Sequence, residues 1–159
     1  MNKVTRIAVV LVVLLCLASS PARALDTKLI DLRDSIFDES KKLQLVLNNS
    51  DDPVVIISLW DSCVTTVTRI NAYFYMLGIY EMVPQESRTA EGLNYLITWL
   101  RETRRTNMLA VNALGAPLET ADDTTAFHRK RVQGYFVELN SRLDAELRKL
   151  TIVQKSLER

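Results

Sequence analysis

Residues 52–84 read DPVVIISLWDSCVTTVTRINAYFYMLGIYEMVP, and this stretch decides the fold. Ile56, Trp60, Cys63, Val67, Ile70, Phe74 and Leu77 recur at alternating steps of four and three. That spacing keeps one apolar stripe on one side of a helix, the pattern of a helix buried against others. Asp52 is placed to cap the helix, and Pro53 suits its first position, where no amide donor is needed. Pro84 disfavours helical backbone at Val83, so the helix should run over about 53–83.

Outward from this helix, two further breaks divide the chain. Asn48 to Asp52 is a polar turn on its N-terminal side. Gly115-Ala116-Pro117 joins a potential glycine cap to a proline that cannot continue a helix. No segment between the breaks sustains period-two alternation. The segment of about 27–47 carries Leu29, Leu32, Ile36, Leu43 and Val46 on one stripe. The segment of about 89–114 carries Leu93, Ile97, Leu100, Met108, Val111 and Leu114. The segment of about 121–157 carries Val132, Phe136, Leu139, Leu143, Leu150, Val153 and Leu157. Short connections force neighbours to run in opposite directions. The expectation is an all-α fold, an up-down-up-down antiparallel four-helix bundle over residues 25–159.

Residues 1–24 have a different character. Lys3 and Arg6 precede an unbroken apolar run from Ile7 to Ala18, and Ala22-Arg23-Ala24 offers small residues at a cleavage site. A bilayer takes about 20 apolar residues to cross, so this short run fits a removed secretory signal. Cys16 follows Leu15, where a lipid-attachment site wants a small residue, so the plain signal is preferred. The expected location is periplasmic or secreted. The chain closes on a polar, amphipathic stretch, Leu150 to Arg159, and no second span or stable membrane anchor is expected.

Removal of Lys3, Arg6 and Arg23 from the 20 Lys and Arg leaves 17 against 19 Asp and Glu, a net charge of −2. A near-neutral, mixed surface argues against nucleic acid as a partner and against polybasic membrane binding. Beyond the signal only Cys63 remains, so an exported chain forms no internal disulfide. Cys63 lies on the inward stripe, as a small hydrophobe would; facing outward, it could bridge two copies.

Candidate chemistry is sparse. One histidine and one cysteine assemble no transition-metal site, and no metal or cofactor is expected. Neither the Cys-x-x-Cys-His of haem attachment nor paired Glu-x-x-His motifs of di-iron bundles occur, and phosphate loops and nucleophile elbows are absent. His128 sits among Phe127, Arg129, Lys130 and Arg131, a basic turn that suggests solvation. Glu39, Glu81, Arg104 and Glu146 fall on stripes that should be apolar. Counting residues places Arg104 near Asp34, with Asp31 and Tyr135 close by, either as a structural ion pair or as a cation awaiting an anionic ligand. The same counting puts Glu81, Glu146 and Arg88 at one level, where two carboxylates could serve acid–base work or stay solvated.

The aromatic residues carry the functional expectation. Tyr73, Phe74, Tyr75 and Tyr80 crowd the end of the second helix, and Tyr95 and Trp99 the start of the third. The first helix, at about 21 residues against about 31, ends short of this region and leaves the bundle open there. Tyrosine suits such a half-wet surface. The expected function is non-enzymatic binding by an exported bundle, through Tyr73, Phe74, Tyr80, Tyr95, Trp99 and Arg104. The partner would be another protein or a second copy of the chain. The alternative is a periplasmic carrier or sensor of a small apolar ligand.

Overall fold

The computed structural model describes residues 27–117 and 122–158. The expected signal over 1–24 lies outside the described residues. Those described are all-helical: α1 (Thr27–Val46), α2 (Pro53–Met82), α3 (Ala90–Gly115) and α4 (Asp123–Leu157), with 3-10 turns at Leu47–Asn49 and Gln85–Ser87. α1 packs on α2 and α3 on α4, with α2 against α3 and α1 against α4 closing the ring. These are the neighbours a four-helix bundle requires.

The helix ends follow local chemistry. The Asp52 carboxylate accepts from the Val55 amide at 3.2 Å, Thr89 Oγ1 from Gly92 at 3.1 Å, and Asp122 from Thr125 at 2.7 Å. Each satisfies an amide that the first helical turn leaves without a partner. Val83 before Pro84 and Ala116 before Pro117 are both extended, with ψ of 131° and 143°. Gly115 is the last helical residue of α3 and has no positive φ, so proline ends the helix without a left-handed glycine turn.

The core follows the expected stripes, except that Leu59 and Tyr73 hold the innermost places of α2 with Trp60 and Phe74 half-buried beside them, Leu157 is exposed, and α3 changes phase. Ile36 and Leu43, Ile56 and Ile70, Ile97 and Leu100, and Phe136 and Leu143 are all buried. In the second half of α3 the inner positions are Thr103 and Asn107, while Met108 is exposed. Asn107 Nδ2 donates to the Phe136 carbonyl at 2.7 Å and to Asn140 Oδ1 at 3.0 Å, and this gives a polar side chain a place in the interior.

The start of α4 sets the levels of the bundle. Asp122 reaches the α1–α2 turn, where its carboxylate accepts from Ser50 Oγ at 3.2 Å and from the Asp51 amide at 3.3 Å. Residues on α4 therefore stand opposite α3 positions two to three turns away from those given by counting from the turn.

Candidate functional site

That offset regroups the charges that face α4. Arg104 pairs with Asp144 of α4 at 2.6 Å, whereas Asp34 is taken by Arg33 at 2.8 Å. With side chains 37% and 38% exposed, the Arg104–Asp144 pair is half solvated and contributes little to stability. Glu146 is buried and accepts from the Tyr73 hydroxyl at 2.8 Å and Lys149 at 3.0 Å. Glu81 lies further along, beside the α2–α3 turn, so the two carboxylates do not form one site.

At that turn the described helices leave a cavity of about 600 Å³. Leu77, Tyr80, Val83 and Pro84 line one side, and Val153 and Leu157 the other. The Arg33–Asn71 bond at 2.8 Å sets α1 so that its first residue, Thr27, lies near the level of Leu77. Past that level α1 gives no cover to α2. The end of α4 is helical to Leu157 and forms a wall of the cavity.

Glu81, Gln85, Arg88 and Ser156 are the polar residues of this otherwise apolar lining, and the two charged ones set its chemistry. Arg88 lies 5.7 Å over the Tyr80 ring and donates to the Val83 carbonyl at 2.9 Å and the Glu81 carbonyl at 2.7 Å. It thereby caps the carbonyl end of α2, where a cation is favoured. Glu81 also lines the cavity, and its Oε1 is shut off from solvent without a hydrogen-bond donor among the described residues.

The six residues singled out in the sequence are dispersed. Tyr80 lines the cavity. Tyr73 is in the core on Glu146, and Phe74 packs against its ring at 5.8 Å. Trp99 is half-buried, with Nε1 donating to the Arg69 carbonyl at 3.0 Å. Tyr95 stands 75% exposed on α3, and Arg104 is on Asp144.

A second polar cluster lies toward the other end of the bundle. His128, expected in solvent, is buried with its Nδ1 2.6 Å from Oε1 of the fully buried Glu39. A carboxylate accepts, so the imidazole Nδ1–H donates. Arg131 Nε approaches Glu39 Oε2 at 3.2 Å, and Lys42 stands 3.8 Å away. The cluster ties α1 to α4. Cys63 faces the same interior: burial first, and then the Glu39 charge, push its thiol up to about 12. At neutral pH it is a protonated core side chain with no nucleophilic character. Among the described residues no group of three or more His, Cys, Asp or Glu could hold a metal ion.

By length and composition α2 could cross a membrane, and it is the one such helix among the described residues. Its inner stripe is part of the core. Comparison with family models, curated proteins and solved structures gives no match for the chain.

Proposed function

We propose that this chain is an exported, non-enzymatic binding protein, folded as an up-down-up-down antiparallel bundle once residues 1–24 are removed, and that it holds a small apolar ligand at the α2–α3 end. The observation that carries this reading is the cavity of about 600 Å³ with the Glu81 carboxylate in its wall. The volume falls within the range of about 300–1,000 Å³ that small-molecule sites occupy, and the lining is apolar with few polar groups, as such sites are. The ligand is an apolar body with one hydrogen-bond donor for Glu81. A non-enzymatic role is supported by the raised Cys63 thiol and by the separation of Glu81 from Glu146.

Native mass spectrometry of the chain purified from its own host tests the reading. The wild-type chain carries an apolar adduct, and Val153→Trp, which fills the cavity, does not. A bare wild-type chain, or equal adducts on both, counts against the cavity as the site.

A further inference from the structure

The outer face of α2 is unusually poor in charge. At about 100° per residue, Val54, Ile57, Asp61 and Val64 before Thr68, and Ala72, Tyr75, Ile79 and Met82 after it, fall within about 40° of the Thr68 direction. This strip lies opposite the core stripe of Leu59, Cys63, Ile70 and Leu77. Much of it is open: Val54 is 73% exposed, Tyr75 72% and Met82 85%, while Ile57 and Ile79 are each about half exposed. Asp61 is its only charge.

The helical repeat sets these positions symmetrically about Thr68, so a twofold axis there pairs them by residue type. Val54 and Met82 stand fourteen positions either side of it, and Ile57 and Ile79 eleven. Asp61 and Tyr75 stand seven either side, and Val64 and Ala72 four. In an antiparallel pair of helices related by a twofold axis at Thr68, each of these residues meets its counterpart in the other copy. Apolar groups then face apolar groups, and the Tyr75 hydroxyl can donate to the Asp61 carboxylate. The small side chains of Val64, Thr68 and Ala72 at the centre let the two helices approach closely.

We propose that α2 is the interface of a homodimer in which this strip packs on itself, antiparallel, about Thr68. The occupant is a second copy because the register pairs every position of the strip with a compatible one, including its single charge. The strip is roughly 42 Å long and about 10 Å wide, or about 840 Å² for the pair. Specific interfaces begin at about 1,000–1,200 Å² in total, and the exposed Tyr95 of α3, along the flank set by the Trp99–Arg69 bond, adds area toward that range. The dimer is therefore reversible and concentration-dependent. It meets the cavity at the end of the bundle through Met82 alone, which belongs to both the strip and the cavity lining.

Sedimentation velocity of the purified chain from about 1 to about 200 µM tests it, a range that brackets weak interfaces of this size. Wild type shifts from monomer to dimer across the series. Thr68→Arg sets two guanidinium groups against each other at the axis and weakens the dimer by at least about 100-fold, with helix content unchanged. Ile57→Lys and Ile79→Glu each give monomers, and the double variant dimerises again because the new lysine of one copy meets the new glutamate of the other. A wild type that stays monomeric, a dimer indifferent to Thr68→Arg, or a double variant no better than its parents overturns the proposal. Flotation of a monomeric wild type with phosphatidylglycerol vesicles overturns it too, and assigns the strip to lipid.

Discussion

Replacing His128 by leucine removes the group closest to the buried Glu39 carboxylate, leaving Arg131 at 3.2 Å and Lys42 at 3.8 Å. Removing the hydrogen-bond donor to a buried carboxylate costs about 1–3 kcal/mol or more, because the charge is left poorly compensated. Arg131 is 36% exposed and Lys42 half exposed, so both stay on Glu39 and hold the loss within that range. We expect about 2–3 kcal/mol. For a domain of about 130 residues each kcal/mol moves Tm by about 4 °C, so the variant should melt about 9 °C lower. The double variant Glu39→Leu/His128→Leu removes the buried charge together with its partner and returns to within about 1 kcal/mol of wild type. Arg131 then turns to solvent, keeping its bond to the Tyr135 hydroxyl. Thermal unfolding followed by far-UV circular dichroism at pH 7 reads all three chains. A single variant as stable as wild type, or a double variant that adds a second loss to the first, refutes the reasoning.

The remaining expectations concern single groups. Cys63 should resist iodoacetamide in the folded chain at pH 8 and react once the chain is unfolded in guanidinium; labelling of the folded chain at the rate of a free thiol would contradict its burial. Its raised thiol also makes stability fall at high pH, since above the ordinary thiol range of about 8.5 only the unfolded chain releases the proton, until the folded group itself titrates at about 12. Denaturant midpoints of wild type should therefore drop between pH 8.5 and 11 more than those of Cys63→Val. The Asp122 carboxyl is held below its usual range, first by the Thr125 amide and then by the Thr125 hydroxyl. Its contribution is present above the unfolded carboxyl value and fades as pH falls through the folded one, so the Tm deficit of Asp122→Ala should shrink from pH 6 to pH 2. Gly134 lies inside α4 with open space where a Cβ would stand, so Gly134→Ala should raise stability by about 1 kcal/mol in urea unfolding.

The helices were legible because their limits are local. Asp52-Pro53, Pro84 and Pro117 each act on neighbouring backbone, and the observed bounds lie within two residues of those read from the sequence. The inner stripes were legible for the same reason, except where Thr103 and Asn107 hold the interior and mask the phase of α3. Levels between helices were not legible. Counting from a turn assumes that the chain reverses at once, whereas Asp122 stands at the α1–α2 turn. This offset brought Asp144 to Arg104 and parted Glu81 from Glu146, while Asp34 is held by its neighbour Arg33. His128 was misjudged from its basic neighbours in sequence. The signal was there in its spacing: it stands one turn before Val132, on the same stripe as Phe136 and Leu139. Its partner Glu39 lies 89 residues away, and only the folded chain joins them. The open end was legible from helix lengths, but which aromatic residues face it was not: Tyr80 does, while Tyr73 turns inward to Glu146.

The account rests most on the cavity between the α2–α3 turn and the end of α4. Titration with N-phenyl-1-naphthylamine, an uncharged apolar amine with one N–H, tests it directly by the rise in dye fluorescence. Wild type should bind one dye per chain. Val153→Trp should abolish the signal, and Glu81→Leu should weaken it by about tenfold, the loss of one hydrogen bond to a charged acceptor. No saturable binding by wild type, or binding that Val153→Trp leaves unchanged, would contradict the account.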